Sequence, residues 1–221
     1  MSGPARTGTD RGTTAGASPV RPPLRHAPAR RTFLRMSHPA TPLEGLHLRR
    51  ATSEDVAWLA EFGARTFRAA FAHLTPEDEV AGYCAAAYGV AQQAEELQRA
   101  HSIALIAELD AARVGFAWVL REDPLRTPPC VTDPDAVHLS RIYIDPAVQN
   151  HGVGSRLIEG ALAEARGLGG ETLWLAVWEK NPRAIAFYQR HHFSEIGRAG
   201  FPTDPDPACD LIMARWLGPC C

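Results

Sequence analysis

The chain has 221 residues, 45% of them hydrophobic and 22% charged, with 23 basic and 25 acidic side chains. This is the composition of an ordinary globular protein, and the length allows one well-buried domain and a tail. No apolar run approaches the roughly 20 residues that cross a bilayer, and the N-terminus lacks the apolar core of a signal peptide. These features argue against membrane and secreted proteins and predict a cytoplasmic location.

The five cysteines are scattered and odd in number. They form no Cys-x-x-Cys pair and no Cys/His spacing typical of zinc. Such a set fits a reducing compartment better than a disulfide framework, and it predicts no metal site.

Residues 1–43 are rich in Arg, Pro, Gly, Ser and Thr, which predicts a disordered tail before a domain at 44–218. Residues 1–35 carry seven basic side chains and a single acid, Asp10. Such an arm can bind nucleic acid or target the protein, or it can lie upstream of a true start at Met36, which we favour. The rest of the chain keeps 16 of the 23 basic and 24 of the 25 acidic residues, which suits a cationic partner better than nucleic acid.

Hydrophobic periodicity and capping signals predict the elements of the first half of the domain. A Thr-Ser cap and two acids begin a helix after the first strand, and Pro76 is placed at the first position of the second helix. A third helix, rich in Gln and charge, is predicted to be mostly exposed, and a hairpin turns about Asp110. The predicted ranges are a strand at 46–50, helices beginning near 56, 76 and 90, the third ending at 100, and hairpin strands at 103–108 and 113–120.

The second half is predicted as strand, glycine loop, helix, strand, helix and two final strands. A loop with four prolines precedes it, at 123–134. The helix after the glycine loop has one apolar face, and no internal repeat is present. The predicted ranges are strands at 137–144, 172–178, 193–198 and 210–215, and helices at 153–166 and 182–190.

The glycine loop, Gln149-Asn150-His151-Gly152-Val153-Gly154, carries the first chemical signal. Backbone N–H groups in such a turn and the positive end of the helix dipole converge on one anion, which predicts a pyrophosphate site. A dinucleotide-binding loop would need Gly or Ala where Leu157 stands, and no Gly-Lys-Ser/Thr of a nucleoside-triphosphate loop follows. For the loop alone, an ordinary turn that binds nothing remains the alternative.

Three consecutive blocks make the pattern specific: residues 139–146, the loop with 155–158, and residues 173–188, in which Asn181 opens a helix ending in Ala-x-x-Phe-Tyr. With them the chain resembles the GCN5-related N-acetyltransferase (GNAT) family, whose acetyl-CoA signature is Gln/Arg-x-x-Gly-x-Gly/Ala. The resemblance implies the GNAT acyl-CoA N-acyltransferase fold, an α/β architecture. Its central, mostly antiparallel sheet has a splayed parallel strand pair and is flanked by helices.

Within the family the chain is most similar to the bacterial spermidine/diamine (PaiA-type) acetyltransferases, through residues 65–71, 174–181 and 210–213. Two segments depart from the family pattern near the expected acceptor pocket. The usual Lys-x-Gly-Phe is Arg190-His191-His192-Phe193, and the loop at 201–207 is unusually rich in proline. We interpret His191 and His192 as a solvated helix end.

The resemblance implies that acetyl-CoA is the cosubstrate and that no metal takes part. Backbone groups at 142–144 would contact the pantetheine and thioester, an N–H near Ile144 would bind the carbonyl oxygen, the loop would hold the pyrophosphate, and Asn181 would bind the pantetheine arm. The implied cofactor-binding residues are Ile142, Tyr143, Ile144, Gln149, Asn150, His151, Gly152, Val153, Gly154, Ser155, Asn181 and Phe187.

Tyr188 stands where the family has its catalytic tyrosine, and an ordinary pKa near 10 would keep it protonated and able to donate to the departing thiolate. Its alternative role is a core aromatic packed beside Phe187. His138 lies where relatives often carry Glu, and its imidazole can accept a proton from the amine. A strand-end histidine bonded to backbone and proton loss through water are equal alternatives.

The leading hypothesis is an N-acetyltransferase for a primary amine, a polyamine or similar small cation, acting by direct attack. A protein N-terminal or lysine acetyltransferase and a non-catalytic acyl-CoA-binding regulatory module are the alternatives. Neither nucleic acid nor a membrane is expected as a partner, and a homodimer is an open possibility. Acids of the first two helices are candidates for the acceptor's field, although such side chains usually form solvated faces: Glu54, Glu61, Glu77, Asp78 and Glu79.

Overall fold

The computed structural model describes residues 44–71, 76–199 and 210–218. The predicted tail, the Met36 start and the loop at 201–207 lie outside these ranges. No helix in the described ranges is long and apolar enough to cross a membrane. The strands are β1 Leu46–Arg50, β2 Ser102–Leu109, β3 Ala112–Leu120, β4 Val137–Ile144, β5 Thr172–Trp178, β6 Ser194–Ala199 and β7 Asp210–Trp216; the helices are α1 Val56–Phe71, α2 Glu77–Ala87, α3 Val90–Gln98, α4 Val153–Gly167 and α5 Pro182–Arg190.

The seven strands form one sheet in the order β1-β2-β3-β4-β5-β7-β6. All neighbours are antiparallel except β4 and β5, which run parallel. That parallel pair is short, because only Val137 with Leu173 and His138 with Trp174 are in register before the strands separate. The predicted architecture, a mostly antiparallel sheet with a splayed parallel pair, is confirmed.

Helices cover both faces of the sheet. On one face α4 buries its predicted apolar side, and α5 packs Tyr188 into the same core. On the other face α1 buries Phe62 against Phe116 and Trp118 of β3, while α2 and α3 pack beside α1. Alternate residues of each central strand therefore face different cores, as the two-residue period of a strand requires.

Helix α3 differs from its prediction. It ends at Gln98 rather than at residue 100, and it is not mostly exposed, because Gln93 and Glu96 are buried. The Gln93 amide donates to the Ala87 carbonyl at 2.8 Å, and the Glu96 carboxylate binds Arg141 of β4. The many polar residues of α3 suggested a solvated helix, but two of them, Gln93 and Glu96, are buried with a hydrogen-bond partner. Pro76 also differs, since it precedes α2 as its N-cap.

The β2–β3 hairpin has the two-residue turn Asp110-Ala111, and both residues have positive φ, 49° and 64°. A turn of this kind favours glycine at its second position. Replacing Ala111 by Gly is expected to raise the free energy of unfolding by about 0.5–1 kcal/mol, because relief of left-handed strain exceeds the entropy added to the unfolded chain. Urea unfolding measures the change. Ala112→Gly, within β3, is the control and should destabilise; a loss of stability in both variants would contradict the prediction.

Asp55 is a buried carboxylate at the start of α1. It accepts hydrogen bonds from Arg49 at 2.7 and 2.8 Å, from the Thr52 N–H at 2.9 Å and from Arg113 at 3.2 Å. The bonds from Arg49 hold the pKa of Asp55 well below its usual value against the opposing effect of burial. Because the folded protein then binds this proton more weakly than the unfolded chain, Asp55 contributes stability that is lost as pH falls below about 4.

The expected result is that Asp55→Asn lowers the free energy of unfolding at pH 7 and that its difference from wild type narrows towards pH 2–3. Urea titrations across this range measure the difference. Glu54→Gln, at an exposed neighbouring acid, should lie close to wild type throughout. If the free energy of unfolding of Asp55→Asn differed from that of wild type by the same amount at every pH in this range, the ionic role of Asp55 would be contradicted.

Candidate active site

The gap between β4 and β5 exposes main-chain groups of β4. The Asp145 N–H donates to the Val114 carbonyl at 2.8 Å, so Asp145 and alternate residues before it direct their backbone groups towards β3. Ile142 and Ile144 therefore direct theirs towards the gap. The Gln149 amide lies 3.5 Å from the Ile144 carbonyl on that side. Two of the three predicted backbone contacts thus have the required orientation.

A β-bulge lies where β4 leaves β5. Trp118 pairs with Arg141 and Val119 pairs with Leu139, which leaves Ser140 as an extra residue on β4. The Ser140 hydroxyl donates to the Trp118 carbonyl at 3.3 Å. A bulge bends and twists its strand, so this one turns the chain after Arg141 away from β5 and opens the gap.

The glycine loop ends at an uncapped helix N-terminus. The first bond of α4 runs from the Arg156 N–H to the Gly152 carbonyl at 3.0 Å, and no side chain caps the helix in the described structure. The amide groups of residues 152–155 are therefore left for an anion. Gly152 has φ +90°, which a residue with a side chain rarely adopts. This arrangement fits the diphosphate of coenzyme A.

Gly154 is packed closely by two neighbouring side chains. A Cβ atom at this position would lie 3.0 Å from the Ile144 side chain and 3.2 Å from the Phe187 ring. Gly154 is buried, so its missing side chain makes room for α5 and β4 rather than for a phosphate. Its amide remains part of the helix N-terminus. Val153 is likewise buried in the core, while His151 is exposed.

Two residues beside the loop were not assigned to the cofactor site from the sequence. The Arg183 guanidinium donates to the Gln149 side chain at 2.8 Å and lies 3.5 Å from the Asn150 side-chain oxygen, which places a cation next to the anion site. His191 lies 3.1 Å from the Ser155 hydroxyl through Nε2. Burial and the neighbouring arginines lower the pKa of His191, so the predicted solvated helix end is wrong for this residue. The sequence did offer one signal for Arg183, because a basic residue in the first turn of the predicted helix α5 could have been assigned to the anion site.

Asn181 is the N-cap of α5. Its side-chain oxygen accepts from the Ala184 N–H at 3.1 Å. That bond leaves the NH₂ group as the part of Asn181 that can donate to the pantetheine arm. Phe187 of α5 packs against the start of α4. Its ring centroid lies 5.3 Å from that of Tyr188 and 4.8 Å from that of His191. Phe187 also lies against Gly154, and its role beside the cofactor stays a prediction.

Tyr188 is buried, and its ring packs against Phe187 and Phe193. Burial raises the pKa of Tyr188 above its usual value, and Tyr143 raises it further. The hydroxyl therefore stays protonated at neutral pH, although its pKa is not the ordinary value assumed from the sequence. Tyr188 is thus a core aromatic packed beside Phe187, as the alternative role predicted, and its role as the acid stays a prediction.

The side chains of Tyr143 and Arg141 face the helices α1–α3. The Tyr143 hydroxyl lies 2.5 Å from that of Tyr88, and the Arg141 guanidinium lies over the Tyr88 and Trp118 rings. Arg141 also binds the buried carboxylate of Glu96. These contacts fix the position of the β4 segment that borders the gap. The Tyr143 ring serves as an anchor, and the Tyr143 backbone groups face β3 rather than the gap.

His138 is the last residue of β4 that pairs with β5. Its Nδ1 lies 3.2 Å from a Glu122 carboxylate oxygen, and its ring stacks on that of Trp174. The sequence-based alternative of a bond to backbone is replaced by a bond to a carboxylate. Nothing in the local pattern pointed to Glu122, which lies at the start of the proline-rich loop.

Comparison with known proteins identifies the family of this chain. The sequence profile of the acetyltransferase (GNAT) family matches residues 67–193, which is more than half of the chain. An uncharacterized N-acetyltransferase of Mycobacterium tuberculosis (strain H37Rv) is 31% identical over 163 residues, which are 74% of this chain and 98% of that protein. The ribosomal protein bS18-alanine N-acetyltransferase of Escherichia coli K12 is 38% identical over 82 residues, 36% of this chain and 55% of that enzyme.

A similar fold occurs in the crystal structure of the PaiA N-acetyltransferase from Thermoplasma acidophilum in complex with coenzyme A. The TM-score is 0.61 at 19% sequence identity, with 77% of this chain and 98% of that one covered. The chain belongs to the GNAT acetyltransferase family. As a member it is an acetyl-CoA-dependent N-acetyltransferase.

Proposed function

We propose that the enzyme transfers the acetyl group of acetyl-CoA to a primary amine of a small cation, of the polyamine class, by direct attack. The observation that carries the proposal is the gap beside β4, which the Ile142 and Ile144 backbone groups face, with the Ile144 side chain against Gly154 at the uncapped start of α4. A thioester placed in the gap would meet a backbone N–H as donor to its carbonyl oxygen. An anchored diphosphate would fix the position of the thioester.

The amine must lose protons and the departing thiolate must gain one. A primary ammonium has a pKa near 10 by analogy with lysine, so little neutral amine exists at pH 7 and a base is needed. We assign that role to His138 and assign the acid to Tyr188, whose burial keeps its hydroxyl protonated. The C–N bond forms as the C–S bond breaks, which requires no covalent intermediate on the enzyme.

Charge supports a cationic acceptor. Acids exceed bases in the chain after residue 35, by 24 to 16. In α2, one carboxylate oxygen of Glu79 is shielded from solvent and accepts no hydrogen bond from any described residue. A shielded anionic oxygen without a donor favours a cation nearby. The neighbouring acids Glu77 and Asp78 are exposed, as the solvated-face reading predicts.

A protein N-terminus is the second candidate acceptor, and the bS18-alanine relative favours it. The two acceptors place different demands on the site. A peptide needs room for the chain that follows its reacting nitrogen, whereas a polyamine is short and ends in a second positive charge.

An acceptor screen tests the proposal. Full-length protein is incubated with acetyl-CoA and either spermidine, putrescine, monoamines or peptides with a free N-terminal alanine, and free thiol and product mass are followed. We expect thiol release and a gain of one acetyl group with the polyamines. Acetylated peptide without acetylated polyamine would replace the first candidate by the second. Tight acetyl-CoA binding without transfer to any amine would contradict the proposed function.

A further inference from the structure

Glu122 and His138 form a half-buried pair on the face of the sheet that bears α1–α3. Glu122 lies two residues after β3 ends, and its Oε2 is 3.2 Å from the His138 Nδ1. Their side chains are 15% and 16% exposed, so solvent screens the contact only partly. The Arg126 guanidinium lies 4.0 Å from Oε1 of the same carboxylate.

The carboxylate determines which imidazole nitrogen carries the hydrogen. Burial acts to raise the pKa of Glu122, but the interactions of the carboxylate with His138, the Asp123 N–H and Arg126 together outweigh burial, and the net pKa is lowered. An ionised carboxylate only accepts hydrogen bonds, so Nδ1 must be the donor. In neutral His138 the lone pair then belongs to Nε2, the nitrogen on the opposite edge of the ring.

Trp174 fixes the ring in a second direction. The His138 and Trp174 ring centroids are 3.8 Å apart with an interplanar angle of 4°. Trp174 is 3% exposed and belongs to β5, in register with His138. The stack sets the plane of the imidazole and the Glu122 bond sets its rotation within that plane. Such double restraint is typical of a positioned base and is more than a strand-end histidine requires.

We propose that Glu122 is a positioning residue that holds His138 with Nδ1–H towards the carboxylate and Nε2 towards the acceptor ammonium. The inference rests on the proposed function and adds a residue to it. Nε2 takes one proton from the ammonium and passes it to solvent. The lone pair of the neutral amine nitrogen then forms the C–N bond as the C–S bond breaks. The nitrogen loses its second proton as the departing thiolate gains one, so the protons balance.

A double-mutant cycle tests this pairing. His138→Gln is expected to lower kcat by about 100-fold. Glu122→Gln, which keeps the shape but removes the charge, is expected to lower kcat by about tenfold or more with little change in the KM for acetyl-CoA. Because Glu122 acts through His138, adding Glu122→Gln to His138→Gln should produce no further loss. A double variant whose losses multiply would overturn the proposal.

Nitrogen-15 NMR of labelled histidine supplies a measurement that does not depend on protein stability. The His138 signals, identified by their absence in His138→Gln, should show protonated Nδ1 and unprotonated Nε2 in wild type. They should shift towards the other tautomer in Glu122→Gln. An unchanged tautomer would contradict the role of Glu122, even if the rate falls.

His47→Gln is the matched control, because the His47–Glu108 pair, at 2.9 Å, joins β1 to β2 away from the gap. Its kcat should equal that of wild type. The outcomes also separate the inference from the function on which it rests. Failure of wild type to acetylate any amine removes the proposed function, whereas active wild type with fully active Glu122→Gln removes only the pairing.

Discussion

Replacing Tyr188 by Phe is expected to lower kcat by about 100-fold to 1,000-fold, which is within the range for loss of a general acid. The change removes one oxygen and keeps the ring between Phe187 and Phe193, so packing should be preserved. The expected loss arises because the thiolate would leave without a proton donor. Steady-state kinetics with the acceptor found in the screen measure kcat, and calorimetry measures the Kd for acetyl-CoA.

The affinity for acetyl-CoA should change little, since the anion site lies on α4 and the glycine loop. Tyr83→Phe is the matched control, because it removes a hydroxyl from α2 and keeps the ring stacked on Phe67. Its kcat should remain near that of wild type. Wild-type kcat in Tyr188→Phe would assign Tyr188 to the core alone.

The second large effect is expected at Glu96. This carboxylate is buried on α3, binds Arg141 and accepts from the Gln92 amide at 2.9 Å. Glu96→Ala would leave the Arg141 guanidinium buried without its partner, which is expected to lower the free energy of unfolding by about 3–5 kcal/mol. Urea unfolding measures the loss. The KM for acetyl-CoA should also rise, because Arg141 directly precedes the β4 segment that borders the gap.

Glu95→Ala is the matched control for this prediction. Glu95 directly precedes Glu96 in α3, is 58% exposed and pairs with Arg99 on the surface. Its removal should change stability by less than about 1 kcal/mol. Replacing both Glu96 and Arg141 by Leu should restore most of the stability lost in Glu96→Ala, since no unpaired charge remains. If Glu96→Ala is as stable as Glu95→Ala, the buried ion pair does not hold β4.

The elements around the glycine loop were predicted with few errors. The ranges of β4, β5 and α5 agree with the prediction, and α4 extends it by one residue. Their signals are local, because apolar periodicity, a glycine turn and Asn181 as a cap each act within a few residues of the chain. Helix α3 failed because polar composition predicts exposure, whereas Glu96 is buried with a partner 45 residues away.

The candidate site divides in the same way. The anion site at the start of α4 and the helix that Asn181 opens were predicted from residue order, and the role of Tyr188 was implied by the resemblance to the GNAT family. The Glu122–His138, Ser155–His191 and Arg141–Glu96 contacts span 16, 36 and 45 residues. Pairs of this kind carry no periodic signal. Only the packing of strands and helices brings these residues together. A buried polar group needs a hydrogen-bond partner, and the tertiary structure decides which partner is within reach.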